Sequence, residues 1–133
     1  MPLPTVRRRT DRLTLRPLGQ EDEGEYVRVC SESAEAWRPW IPAGEPGVSV
    51  QRLFRRELER SSLGARAGTH LRLAAFADDG SLVGLFALNE IVRGVFQSAY
   101  ASWQVAADRM RRGYGTEGVR ALLDLAFEDP PDG

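Results

Sequence analysis

The chain has 133 residues, with 18 basic and 19 acidic side chains, so its net charge of −1 gives no reason to expect nucleic acid as a partner. Its composition, 42% hydrophobic and 28% charged, is that of one soluble globular domain spanning 1–133, able to bury roughly two-thirds of its unfolded surface. Every basic side chain is arginine, which removes Schiff-base, pyridoxal and P-loop lysine chemistry; one cysteine and one histidine cannot build a disulfide or a Cys/His zinc site. With no apolar run long enough for a membrane span or signal peptide, the expectation is a cytoplasmic protein with no membrane partner.

Residues 1–9 read as a tail. Arg12 to Leu18 alternates polar and apolar residues, which predicts a half-buried strand ending near Pro17. Glu21, Asp22 and Glu23 then sit where the first turn of a helix favours negative charge, and are read that way rather than as metal ligands. Tyr26, Val27, Cys30 and Ala34 supply the apolar stripe of that helix, which makes Cys30 a core residue rather than a nucleophile. Ala36 to Gly47 reads as a loop whose Trp37 and Trp40 either plug the core or wall a cleft.

Val50, Leu53, Phe54 and Leu58 mark a second helix, expected to end near Gly64. His70, in a structural role, opens a strand over Leu71–Ala77, and Asp78-Asp79-Gly80 is a hairpin turn. Leu82–Leu88 is nearly continuously apolar, as in a strand buried on both faces. Ala99–Ala107 is the last strand, with Ala101, Trp103, Val105 and Ala107 on one face and Tyr100, Ser102 and Gln104 on the other. A final helix carries Val119, Leu122, Leu123, Ala126 and Phe127 on one side, pairs Arg120 with Asp124 on the other, and stops at Pro130-Pro131. The order predicts a mixed α/β (α+β) domain, a largely antiparallel sheet flanked by helices.

Between the last strand and the last helix lies Arg109-Met110-Arg111-Arg112-Gly113-Tyr114-Gly115-Thr116-Glu117-Gly118. Guanidinium charge, unpaired amide donors and a helix N-terminus converge there, which suits a phosphate or pyrophosphate. The stretch matches G-x-G-x-x-G, but the dinucleotide fingerprint also needs a βαβ unit and an acid about 20 residues on, beyond the last residue here.

Together with Leu88–Tyr100, the opening Thr10–Leu18 and the Trp37–Pro42 segment, this loop resembles the GNAT acetyltransferases, and within them the RimJ/RimL branch that acetylates protein N-termini and related small amines. The resemblance implies that Arg111, Arg112, Gly113, Tyr114, Gly115 and Thr116 hold the pyrophosphate of acetyl-CoA, with no metal. Met110 departs from the family, which usually has Gln or Arg there. Acetyl would pass directly from the thioester to a primary amine, either a protein N-terminus or a small molecule. The resemblance places a polarising backbone N–H around Val105, Ala106 and Ala107.

For the base, Glu90 at the end of a central strand is the first candidate, followed by Tyr100 and Ser102. The family fold also continues with a strand, a helix and a closing strand pair that this chain lacks. The expectation is therefore a C-terminally incomplete domain, with a homodimer or a complementing chain at the open sheet edge. A non-catalytic interaction or regulatory module on the same fold is the alternative.

Overall fold

The structure, a computed structural model, describes residues 7–37, 49–92 and 98–126. Five strands form one sheet in the order β1-β2-β3-β4-β5, every neighbouring pair antiparallel. They are β1 (Arg8–Arg9), β2 (Thr14–Arg16), β3 (Leu71–Phe76), β4 (Leu82–Val92) and β5 (Ser98–Val105). Helices α1 (Glu23–Trp37) and α2 (Val50–Ala67) cover one face of the sheet, and α3 (Tyr114–Ala126) covers the other. The mixed α/β expectation therefore holds.

Each face has its own core. Leu13, Leu15, Leu71, Leu73, Phe86 and Leu88 pack with Ala121 and Leu122 of α3. On the opposite face Ala74, Phe76 and Leu82 meet Tyr26, Val29 and Phe54, the Tyr26 and Phe54 rings lying 5.2 Å apart. β3 and β4 are buried on both sides, which explains their unbroken apolar runs.

Several local expectations change. The supposed tail contains a short strand: Arg8 pairs with Leu15 and Arg9 with Thr14, and Arg9 reaches Asp78 in the β3–β4 turn. β2 is correspondingly short. In α1 the buried face is Tyr26, Val29 and Ser33 rather than Val27 and Ala34, and the helix runs on through Trp37. α2 is capped by Ser49, whose Oγ accepts the Arg52 N–H at 3.2 Å, and passes straight through Gly64. It closes at Gly68, which adopts φ 74 and returns its N–H to the last turn.

Asp22, from the acidic cluster, is buried against Arg16, which donates two hydrogen bonds of 2.7 and 2.9 Å while the Gly19 N–H adds a third of 2.8 Å. Burial works to raise the Asp22 carboxyl, but these donors outweigh it and hold it below the usual range. The cluster thus starts a helix, as the spacing suggested. β5 ends at Val105; Ala107 opens a 3-10 turn, Ala107–Arg109.

In α3 the phase of the apolar stripe differs from expectation. Ala121 and Leu122 are buried, whereas Leu123 is 40% exposed, and Phe127 lies outside the described residues. The closest approach to the sheet is made by Gly118, where an added Cβ would lie 2.2 Å from the Phe86 ring. Replacing Gly118 by Ala should therefore destabilise the protein. A methyl in the helix gains up to ~1 kcal/mol of propensity, but overpacking costs roughly 1–3 kcal/mol. A lowered urea midpoint with an unchanged m-value would confirm the overlap; a raised midpoint would refute it.

Candidate functional site

β5 is the outer strand of the described sheet, and its two faces look onto different surroundings. Trp103 and Val105 face α3, close enough that a Cβ on Gly115 would lie 3.5 Å from Val105 Cγ2 and 3.6 Å from Trp103 Nε1. Ser102 faces α1 and α2, and its Oγ accepts the Asn89 side-chain amide at 3.0 Å. The Ala106 N–H donates to the Val83 carbonyl at 2.7 Å. Antiparallel alternation therefore turns the peptide N–H groups of Ala101, Trp103 and Val105 away from β4, toward the outer edge. The Ala107 N–H is held by the buried Ser33 Oγ at 2.9 Å. The peptide groups of Ala106 and Ala107, both expected to face a thioester, are thus already engaged.

Beyond the 3-10 turn the chain enters α3 through a loop in which Arg111 (φ 63) and Gly113 (φ 83) are both left-handed. A side chain at Gly113 would be strained whatever the space around it. Glu117 N–H bonds the Gly113 carbonyl at 3.0 Å and closes the first helical turn. The N–H groups of Tyr114, Gly115 and Thr116 precede that bond and have no intrahelical acceptor. The three glycines therefore differ in role: Gly113 allows the backbone turn, Gly118 allows packing, and Gly115 would accept a methyl at ordinary contact distance.

The arginines divide as well. Arg109 turns back to Ser81 Oγ at 2.9 Å. Arg111 and Arg112 are exposed, and no side-chain partner for either is found among the described residues.

The loop is fixed from the opposite end of the sequence. Arg12 donates from Nε to Glu117 Oε1 at 2.7 Å and from Nη1 to the Arg112 carbonyl at 3.0 Å, and its guanidinium lies 4.0 Å from the Tyr114 ring centre. Glu117 Oε2 accepts the Arg12 N–H at 2.9 Å and the Thr10 hydroxyl. Burial alone would raise the Glu117 carboxyl; these hydrogen bonds outweigh it and hold it below the usual glutamate range.

On the other face lies a cavity of about 540 Å³ between α1, α2 and the sheet, reaching β5 at Ser102, Trp103 and Gln104. Tyr26 and Cys30 line it, and burial raises both. Both are therefore neutral at pH 7, and Cys30 supplies no thiolate there. Glu57 also lines it, with its two oxygens taken by Arg72 at 2.6 and 3.2 Å.

A glycine turn and bare helix N-terminus beside an outer strand, with a cavity across that strand, form an arrangement that can be compared with known proteins. The model of the acetyltransferase (GNAT) domain family matches residues 12–132. The chain belongs to the GNAT acetyltransferase family. Acetyl transfer to an amine is the chemistry of that family, so the domain is an N-acetyltransferase.

Three solved structures are among those most similar to it. A candidate ribosomal-protein-serine acetyltransferase from Vibrio cholerae is 24% identical with a TM-score of 0.79, covering 95% of this chain and 69% of that one. Mycobacterium smegmatis RimJ, in complex with CoA-disulfide, is 23% identical with a TM-score of 0.75, covering 87% of this chain and 56% of that one. The ribosomal-protein-S5-alanine acetyltransferase from Vibrio fischeri is 14% identical with a TM-score of 0.78, covering 92% and 68% respectively. Identities this low carry the fold alone. No curated protein matches the sequence.

In this GNAT chain the residues singled out from the sequence fall into three places. Arg111 to Thr116 gather at the start of α3. Tyr100 and Ser102 share one face of β5, the former 56% exposed. Glu90 is exposed at a bulge between β4 and β5, with φ 49, and does not line the cavity. The bulge is held where Ile91 N–H meets the Thr69 carbonyl at 2.8 Å, so the strained backbone turns Glu90 out of strand alternation. Trp40 lies outside the described residues, so its expected part in a cleft does too. Arg12, Ser33, Asn89 and Glu117 are the positioning residues that sequence reasoning missed.

Among the described residues no cluster of His, Cys, Asp and Glu is arranged to hold a metal ion, and no helix is long and apolar enough to cross a membrane.

The depressed Glu117 carboxyl sets a pH dependence. Its contribution to stability is complete above the ordinary glutamate value, about 4.3, and is lost as pH falls through the lower folded value. Glu117→Gln should therefore be less stable than the parent at neutral pH, and the gap should narrow on acidification below that value. Denaturant curves at several pH values that kept the gap constant would show that the carboxylate is not the anchor.

Proposed function

We propose that this chain transfers acetyl from acetyl-CoA to a primary amine, either the α-amino group of a protein N-terminus or a small-molecule amine, by direct attack on the thioester. The observation that carries the reading is the left-handed turn at Arg111 and Gly113, which bares the N-terminus of α3 beside the outer edge of β5. Its donor set suits a pyrophosphate. Amides of residues 113–116 and the exposed Arg111 and Arg112 offer fixed dipoles and mobile charge, and Gly113 leaves the approach open. Acetyl-CoA, when bound, supplies the activated acyl group.

The remaining steps fall to this chain's own groups. Outward-turned N–H groups of β5, such as those of Ala101 and Trp103, polarise the carbonyl, as preorganised backbone donors do in acyl transfer. The amine enters from the cavity, past Ser102 and Gln104. Ser102 Oγ already accepts a hydrogen bond from the Asn89 amide, and its oxygen keeps a second lone pair that can accept an amine N–H. Glu90, outside the cavity, takes the proton the amine loses through water, and a proton returned from water would let the CoA sulfur leave as a thiol as the C–S bond breaks. An α-amino group, with a pKa of about 7.7–8.0, presents a substantial neutral fraction near pH 7, so a weak, exposed base suffices. A further strand, from a second copy or a complementing chain, would pair only with the part of the β5 edge that the thioester leaves uncovered.

Thermal unfolding against rising acetyl-CoA tests the cofactor site. A ligand of the folded state stabilises it by about 2.7 kcal/mol at a hundredfold excess over Kd, so the parent should show a saturable upward shift. Arg111→Gln combined with Arg112→Gln, which touches no described side chain, should weaken that shift while leaving the ligand-free midpoint in place. A parent that does not respond, though folded, would leave the non-catalytic module as the reading.

Glu90→Gln should lower kcat without changing the KM for acetyl-CoA. An unaltered pH–rate profile in that variant would remove Glu90 from the mechanism.

A further inference from the structure

The cavity between α1, α2 and β5 has a charge pattern that the fold itself does not use. Arg56 and Arg60, one turn apart on α2, both line it. Among the described residues neither has an acidic partner; Glu57, lying between them in sequence, is fully engaged by Arg72. Arg52 extends the row by one more turn, so three like charges stand at i, i+4 and i+8. Such spacing destabilises a helix on its own account. With Arg72 the lining carries three arginines against one glutamate, a net positive wall at the α2 end, while the β5 end, Ser102, Trp103 and Gln104, carries no charge.

We infer that the acceptor carries a carboxylate close to its amine, and specifically that it is a peptide N-terminus followed by aspartate or glutamate. This rests on the reading that the cavity receives the acceptor. The amine lies toward β5 and the acidic side chain toward Arg56 and Arg60, where a guanidinium can hold a carboxylate through two parallel N–H bonds. A lysine-rich or arginine-rich N-terminus meets repulsion at the same wall and is rejected.

The test is equilibrium binding of two fluorescent, C-terminally amidated peptides, one beginning Ser-Asp-Glu and the other Ser-Lys-Arg, with free aspartate as a competitor. The acidic peptide should bind at least about tenfold more tightly, the ratio that 1.4 kcal/mol produces, and high salt should erode the difference. Arg56→Gln combined with Arg60→Gln should bring the ratio close to one without altering the acetyl-CoA response. Competition by aspartate at comparable affinity would move the assignment from a peptide to a free amino acid and overturn the inference as stated. Equal binding of the two peptides, or a preference that survives the double substitution, would also overturn it. Should the double variant fail to fold, the salt response of the parent decides the question alone. Acetyl-CoA titration of the same samples separates the two levels: a parent that prefers the acidic peptide but ignores acetyl-CoA refutes the acetyl-transfer reading and not the charge of the cavity.

Discussion

The approach of α3 to the sheet at Gly118 is the contact on which the site depends. Phe86 fills the space a side chain at that position would need, so helix and strand lie closer there than two ordinary residues allow. That closeness brings the first turn of α3 level with β5, puts Gly115 against Trp103 and Val105, and leaves the helix N-terminus at the edge of the sheet. Interiors packed to this density do not yield gradually. A helix held further off would carry its N-terminus, and the loop leading into it, away from β5.

Electrostatics then fixes what packing has placed. Glu117, one residue before the contact, gathers the Thr10 hydroxyl, the Arg12 amide and the Arg12 guanidinium, while the same arginine holds the Arg112 carbonyl. The start of the described chain is tied in this way to a turn a hundred residues later. The clamp uses the acid and the ring of the loop's own helix, Glu117 and Tyr114, and leaves Arg111 and Arg112 directed at solvent. Structural and ligand-facing charge are thereby separated within one short segment.

What the sequence disclosed follows the range of the forces involved. Alternation along β5, the turn at Asp78–Gly80 and the glycine loop at a strand–helix junction are local signals, and each is where it was read. Misreadings arose where the deciding partner is remote. Nothing in residues 7–9 marks a strand until β2 lies beside them. Gly64 and Gly68 are alike in sequence, and only the latter takes the left-handed conformation that ends a helix. Hydropathy put Leu123 on the buried side because Gly118, the true point of contact, contributes no apolar signal. The Arg12–Glu117 clamp and the Ser33–Ala107 bond join residues 105 and 74 positions apart. A single sequence carries no trace of such pairings, although a family resemblance could still point to the loop they hold.

β5 is a partition with independent sides. Ser102 and Gln104 form part of the cavity wall, Trp103 and Val105 lie against the start of α3, and the outward peptide groups point along the sheet edge. Substitution at Ser102 or Gln104 reshapes one compartment without touching the helix that carries the glycine turn. In the chemistry proposed here, acceptor choice can then diverge among descendants of this chain while the invariant half of the reaction stays intact. The strand's simple alternation thus makes the domain evolvable in one dimension at a time.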